Sequence, residues 1–475
     1  MAADAPVPEL AARATACAER LLDADRVLLA SHIDADGLTS AGVASAALER
    51  ASIPFETVFE KQLDAESIAG IAERDYDTVL FTDFGSGQLD VISDHEDADD
   101  FTPVIADHHQ PADAETEYHL NPLLEGINGA SEMSGAGAAY VLARALATET
   151  DDAGDNRDLA ALAIVGAVGD MQAKDGELHG ANSAIVADGV EAGVLAETKD
   201  LAVYGKQTRP LPKLLEYASD VRIPGITNDE RGAVSFLSDL DVACREEGNW
   251  KRWVDLTDDE RQSVASALVQ HAVKRGVPAF KIDRLVGTTY ILREEEVGTE
   301  LRDASEFSTL LNATARYERA DVGLAVCLGD RGEALERARE LLRNHRRNLS
   351  EGIEWVEQRG VNREEHLQWF DAGDEIRETI VGIIAGMSMG ADGVSRDQPI
   401  VAFARKNDEE TKVSGRGTGG LVSEGLDLSV VMKEASQKAG GDGGGHDVAA
   451  GATIPAGTEE TFIEHADRIV GEQLG

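Results

Sequence analysis

Cysteine is nearly absent. The 475 residues hold three, Cys17, Cys244 and Cys327. They are far apart, odd in number and in no zinc-ligand spacing, which excludes a disulfide framework and fits a reduced intracellular setting. Basic side chains are also scarce: 44 Lys and Arg stand against 89 Asp and Glu, a formal net charge of −45. Aromatic residues make up only 5%. The longest apolar runs, around IVGAV and VGIIAGM, are too short to span a bilayer, so no membrane partner is expected. MAADAPVPEL has no basic region followed by an apolar one, so no signal peptide is expected. These absences point to a soluble cytoplasmic protein.

The acidic excess has three readings. Acidic tails would concentrate it, yet no long single-sign block occurs. Disorder would need few apolar residues, yet 42% of the chain is hydrophobic and periodic segments are clear. A protein built for molar salt, with a carboxylate surface that holds water and cations, fits best. At about 1 M salt the Debye length is only ~3 Å, so remote charge hardly acts. The acidity therefore does not exclude a nucleic-acid substrate. It requires short-range contacts in place of a basic field.

A chain of this length exceeds one ordinary core, and two or three domains are expected. Residues 8–23 read as an amphipathic helix, VLLAS at 27–31 as a buried strand, and 38–50 as a helix. TVLFTDFG at 78–85 and PVIADHH at 103–109 repeat the theme of an apolar strand ending in Asp or His. Strands alternating with helices predict an α/β fold with a parallel sheet, whose ligands bind beyond the carboxyl ends of the strands. Two alanine-rich helices follow, the second ending at Gly169 and Asp170. From 191 to 375 the pattern is charged and mostly helical and shows no catalytic cluster. From 376 the segments IRETIVGIIA, PIVAFARK and TKVSGRG read as strands, then a helix, AGGDGGGHDVAAGATI, and a last helix ending near Val470. The expected domains are 1–190, 191–375 and 376–475.

Chemistry concentrates at the strand ends. In SHIDADGLTS, His32, Asp34 and Asp36 are spaced by two, which on an extended segment puts three metal-capable groups on one face. An Asp-Gly turn beside a solvated His reads the same residues. Asp83 ends VLFTDFG and suits a ligand or a helix cap. In ADHHQP, His108 and His109 are adjacent, so on a strand end only one readily faces a shared site. Asp170 in VGDM is a ligand or a helix-end residue. Together these form a carboxylate and imidazole set without thiolate, which suits Mn(II), with Mg(II) less favoured because of the imidazoles. The set exceeds one ion's needs and matches two, ~3.5–4 Å apart, sharing a carboxylate, activating a water and stabilising phosphoryl oxygens.

SHIDADG, Asp83, ADHHQ and VGD, in this order, resemble the four motifs of the DHH phosphoesterase family, and GGDGGGH resembles the glycine-rich signature of its DHH-associated domain. The resemblance covers roughly 24–190 and 376–470. With a helical segment between, it is most similar to archaeal RecJ-like exonucleases, including those that associate with the GINS replication complex. It implies a parallel-sheet N-terminal domain, a helical insertion, a smaller α/β C-terminal domain and a site in the cleft between. It implies that His32, Asp34 and Asp83 hold one Mn(II) and that Asp36, Asp83, His108 and Asp170 hold the other. Asp107 would orient His108, and His109 would face the scissile phosphate. The implied activity is release of mononucleotides from single-stranded DNA or RNA, in replication or repair. Hydrolysis of short oligoribonucleotides or cyclic dinucleotides is an alternative, disfavoured by the large 191–375 segment. A replication scaffold that binds GINS is another.

Further residues suit phosphate. Gly443, Gly444 and Gly445 would let backbone N–H groups approach it, and His446 would add a donor or stack on a base. The same run also fits a tight turn. Arg405, Ser414 and Arg416 offer further donors, although a lone Arg is ordinarily in a surface ion pair. Ser134 and Gly135, at a helix start, fit a phosphate site and a simple N-cap equally.

Overall fold

The computed structural model describes residues 5–150, 154–218 and 221–475. The first four residues of MAADAPVPEL lie outside them. The chain divides into two compact units, 1–339 and 340–475.

The first unit opens with α1 (Ala11–Leu22) and β1 (Val27–His32), then α2 (Ala35–Arg50), β2 (Phe55–Glu60), α3 (Ala65–Ala72), β3 (Thr78–Thr82), α4 (Leu89–Asp97), β4 (Thr102–Ala106) and the short β5 (His119–Leu120). These five strands form one parallel sheet in the order β2-β1-β3-β4-β5. The apolar runs dictate this. Leu28, Ala30, Val79, Phe81 and Ile105 face α3 and α4 in one core. The other face is covered by α1, α2 and α5 (Gly135–Glu149). Strands buried on both faces need continuous apolar sequence, which VLLAS and TVLF supply. The order reverses between β1 and β3, and this switch point is where such sheets place ligands.

α6 (Ala160–Gly169) and α7 (Gly180–Glu191) follow, then β6 (Leu195–Leu201). An inserted helical subdomain comes next: α8 (Leu211–Glu216), α9 (Glu230–Ser238), the hairpin β7 (Arg245–Glu246) and β8 (Asn249–Trp250), α10 (Asp258–Lys274) and α11 (Ala279–Ile282). It has its own core, with Trp253, Leu214, Leu215, Val264 and Leu268 buried together. β9 (Val286–Leu292) then pairs antiparallel with β6 along its whole length, so the insert enters and leaves through a two-stranded stalk. α10 starts at Asp258, because Thr257 and Glu260 form a capping box there. α12 (Ala304–Arg316) and α13 (Ala320–Cys327) return to pack on α2, and α12 also on α6. Residues 195–327 are thus a helical insert on a β stalk, followed by helices that complete the first core.

α14 (Glu333–Arg359) contains the division between the units. The second unit holds β10 (Asn362–Arg363), β11 (Gln368–Asp371), α15 (Val381–Ser388), β12 (Ile400–Arg405), β13 (Glu410–Arg416), α16 (Gly419–Glu424), α17 (Leu428–Ala439), β14 (Asp442–Gly445), β15 (Ala449–Pro455) and α18 (Glu459–Leu474). Its mixed sheet runs β10-β11-β12-β13-β15-β14, so it begins before position 376. IRETIVGIIA is not a strand: Val381–Ser388 is a buried helix. A short apolar run carries no period that separates the two. The glycine run is not a loop either. Asp442–Gly445 is an edge strand paired with β15.

Candidate metal centre

The end of β1 and the start of α2 build one side of the site. β1 stops at His32, Asp34 is the N-cap of α2, and its Oδ1 accepts the Gly37 N–H at 3.0 Å. The helix starts three residues earlier than 38 because this cap satisfies a first-turn donor. Asp36 is therefore in the first helical turn, and the extended i, i+2, i+4 argument does not hold for it. It reaches the site from the helix. Its Oδ2 and Oδ1 accept the N–H groups of Gly135 (2.8 Å) and Ala136 (3.0 Å). Asp36 thereby binds the start of α5, where a negative group is favoured.

Asp83 follows β3 with a left-handed φ of 61°, and its N–H bonds to Ala106 O. This conformation is uncommon outside glycine and asparagine or aspartate. It turns the carboxylate between two histidines: Oδ2 lies 3.6 Å from His32 Nδ1, and Oδ1 lies 3.3 Å from His108 Nε2. His32 Nδ1 is also 3.2 Å from Asp34 Oδ1. His108 Nε2 is 3.8 Å from Asp36 Oδ2 and 3.9 Å from Asp170 Oδ2. Asp83 Oδ1 is buried with no hydrogen-bond partner. A buried carboxylate oxygen without a partner is costly unless a cation meets it. Gly135 is required beside it, since a Cβ there would stand 2.4 Å from Asp83 Oδ1.

Asp170 is the C-cap of α6. Met171, at φ 57°, takes the left-handed position usually held by glycine, with its N–H on Val168 O and the Gln172 N–H on Ala167 O. This turn presents Asp170 to the site and drives Gln172 inward.

Two expected roles are corrected. The Asp107 side chain does not orient the His108 ring. Its Oδ1 is 2.8 Å from His109 Nδ1 and also accepts the His108 main-chain N–H, while Oδ2 accepts Ser86 N–H. The chain leaves β4 at Ala106, so strand alternation no longer governs the pair, and their rings lie 4.3 Å apart. His108 Nδ1 is held by Gly129 O at 2.7 Å. A carbonyl only accepts, so Nδ1 carries a proton and Nε2 is the atom that faces the carboxylates. His108 is buried, whereas the His109 side chain is 56% exposed. Ser134 and Gly135 are also not free to take phosphate. Ser134 Oγ accepts Gly137 N–H as an N-cap, and the Gly135 N–H is given to Asp36.

Electrostatics follow from this packing. Burial opposes the charged forms of His32 and His108, but the facing carboxylates win: Asp34 and Asp83 push His32 up to about 10, and Asp83 leads in pushing His108 up to about 11. Burial works against Asp83 too, yet His108 and His32 hold it below the usual carboxylate range. Burial, then the Asp83 charge, raises Asp36; burial likewise raises Asp170. Asp107 drops to about 2 despite burial, through the His109 bond. That same bond raises His109. Three groups of ligand atoms lie close enough to hold a cation: His32, Asp34, Asp83; Asp36, His108, Asp170; and Asp83, Asp107, His108, His109, in which Asp107 and His109 are already bonded to each other. With the orphaned Asp83 oxygen between the first two groups, these residues fit two cations. A pocket of ≈ 450 Å³ opens over them, lined also by His109, Lys61, Gln62, Gln88 and Gln110.

The second unit brings together part of its expected set. Ser414, Gly451 and Gly444 form one row across three strands, and Ser414 and Arg416 both lie against Gly382. Gly443 is glycine for packing, because a Cβ would sit 2.8 Å from Met432 O; beside Gly444 the space is open. His446 begins the turn after β14, its N–H on Ala449 O. Arg405 is not with them. It pairs across from Thr411, five residues along β13 from Arg416, or roughly 16 Å. It forms an ion pair with Asp374 at 3.1 Å.

Residues that sequence reading missed are Gly129, Gln172, Asn182, and Asn312, whose Oδ1 accepts the Ala35 N–H at 3.1 Å. Gln172, two positions past the VGD motif, carried the only sequence signal among them.

Comparison with known proteins follows this geometry. Residues 26–167 match the DHH family, N-terminal domain; 203–286 match the DHH-CID domain; 367–472 match the DHHA1 domain. An uncharacterized protein of Methanocaldococcus jannaschii is 30% identical over 452 residues, covering 94% of this chain and 93% of its own. The chain belongs to the DHH family. Its N-terminal match is to a family of metal-dependent hydrolases, and its architecture is RecJ-like. RecJ from Thermus thermophilus, solved with Mn2+, superposes with a TM-score of 0.60 at 16% identity over 98% of this chain and 55% of that one. The DHH chain thus spans about half the length of that RecJ. CDC45 from Entamoeba histolytica gives 0.64 at 11% identity over 96% and 97% of the two chains. The matched DHH-CID residues are the helical insert, and the DHHA1 residues are the sheet and helices of the second unit. No helix among the described residues is long and apolar enough to cross a membrane.

Proposed function

We propose that this chain is a RecJ-like exonuclease that uses two Mn(II) ions to release mononucleotides from single-stranded DNA or RNA. The observation that carries it is the Asp83 carboxylate, buried, with one oxygen toward His32 and the other, which makes no hydrogen bond, 3.3 Å from His108 Nε2. Two divalent ions held there would activate a water and stabilise the phosphoryl oxygens of an in-line displacement. Mn(II) suits the imidazoles, and RecJ structures have been solved with Mn2+ and with Mg2+. Asp36 and Gly135 lock one ligand to α5, and Gly129 fixes the His108 tautomer. His109, bonded to buried Asp107 and open to the pocket, presents a proton-bearing ring to the scissile phosphate. In the second unit, Ser414, Arg416 and the 443–446 hairpin serve as the strand-binding surface. Lys61 is the one lysine or arginine lining the pocket among the described residues, so contact with the strand is short-range and suits a cytoplasm of molar salt.

The test is digestion of end-labelled DNA and RNA strands in molar KCl, with Mn(II) or Mg(II). Mononucleotide release with Mn(II), abolished by Asp83→Ala in a folded protein, is expected. No digestion of either strand would sink the reading.

A second role is favoured by the match of 203–286 to the DHH-CID domain and by the CDC45 likeness across nearly the whole chain. The chain would also take part in DNA replication or repair by joining a replication complex such as GINS through the insert. A pull-down that loses its partner when 203–286 is deleted, while Asp34→Ala retains it, would support this role. The insert also weighs against a cyclic-dinucleotide hydrolase. Rates on dinucleotides above those on long strands would reverse that judgement.

A further inference from the structure

We infer that Gln172 is a positioning residue that sets two ligands of one cation at once, a step that rests on the two-cation reading. Its side chain is almost completely buried, at 1% exposure. The two hydrogens of the Nε2 amide are shared among three acceptors, Asp170 Oδ2 (2.8 Å), Gly129 O (2.8 Å) and Met133 O (3.1 Å). All three neighbours are acceptors, so the nitrogen, with its two hydrogens, must be the atom facing them. Asp170 Oδ2 is the oxygen turned toward His108 Nε2. Gly129 O is the carbonyl that holds His108 Nδ1. One amide therefore orients the Asp170 carboxylate directly and buttresses the His108 ring through a shared carbonyl.

The other end of the amide is fixed as well. Gln172 Oε1 accepts from Asn182 Nδ2 at 2.6 Å, and Asn182 is itself fully buried in the first turn of α7, with its N–H on Glu132 O. The left-handed Met171 before Gln172 leaves its own side chain 87% exposed, so the turn spends its geometry on aiming Gln172 inward. None of these bonds reaches His32 or Asp34. The effect of Gln172 is thus confined to the set of Asp36, His108 and Asp170.

The test is calorimetric titration of the full chain with Mn(II). The wild type should take up two ions. Gln172→Met keeps length and approximate volume and deletes the donors. It should weaken one of the two sites by about 10–100-fold and leave the other within twofold, the usual size of losing a partner that orients ligands. Combined with Asp170→Ala, it should add little further loss, because the two act through one carboxylate. Should Gln172→Met not fold, Asn182→Ala, which frees only the Oε1 end, should show the same one-site loss at severalfold. Equal weakening of both sites, or no weakening while the wild type binds two ions, overturns the inference alone. A wild type that binds fewer than two ions overturns the two-cation reading and this inference with it.

Discussion

His108 and His109 are neighbours in sequence with opposite surroundings. One ring is buried against carboxylates and held by Gly129 O; the other is half out of the protein and held by Asp107. His108→Ala should therefore weaken Mn(II) binding at one site, read by calorimetry. His109→Ala should leave both affinities within twofold and lower kcat by about 10²–10³-fold, the scale of a lost acid or charge-stabilising group. Equal metal affinities in the two variants would refute this division. The candidate ligands were legible because each is an Asp or His at the end of an apolar strand or helix. The partner of Asp107 was not, because the chain has already left β4 and folds His109 back onto the preceding carboxylate. Nor was Gly129: a carbonyl that fixes a tautomer belongs to a backbone position that no side chain advertises.

At the level of elements, the parallel sheet was readable from strand–helix alternation, but its order, which puts the switch point between β1 and β3, was not, because it depends on β2 and β5, which the sequence reading did not mark. Short apolar runs misled, as at Val381–Ser388, because eight almost wholly apolar residues show no period in sequence. The glycine run misled for a different reason: glycine there serves edge-strand packing as well as any ligand. Gly443→Ala should cost about 1–3 kcal/mol through overpacking against Met432 and Ala452. Gly444→Ala faces open space and should change stability by no more than about 0.5 kcal/mol while raising KM for strands. Thermal melts beside steady-state kinetics would separate the two. The loop after Asp170 is tied to the insert's stalk by Thr288 N–H on Gly176 O and Leu178 N–H on Tyr290 Oη. Tyr290→Phe should cost about 1–3 kcal/mol by orphaning the Leu178 donor and should speed amide exchange over 171–178.

For the whole molecule, charge and pH act together. In the cation-free chain both His32 and His108 are protonated at neutral pH, since their values rise to about 10 and 11. Mn(II) must displace those protons, so its apparent affinity should rise with pH between 6 and 8, with proton release seen as a buffer-dependent heat. The stability sign is the reverse. Folded-state values above the unfolded one stabilise fully below about pH 6.5 and lose that contribution as pH climbs through 10 to 11. Melting of the cation-free chain should therefore fall in the alkaline window, and Mn(II) should remove most of the fall. His119 has the opposite sense. Burial holds it down at about 4, so its contribution is lost as pH drops from 6.5 toward 4, and His119→Asn should flatten that slope. The net charge of −45 was legible at once; that acids and histidines gather at the sheet's edge was legible only from their positions together.

Anomalous diffraction from crystals soaked in Mn(II) tests the central claim most directly. Two peaks ~3.5–4 Å apart are predicted, one against each Asp83 oxygen. His32 and Asp34 should close the first site, and Asp36, His108 and Asp170 the second. A single peak, or two peaks that do not share Asp83, would contradict the account.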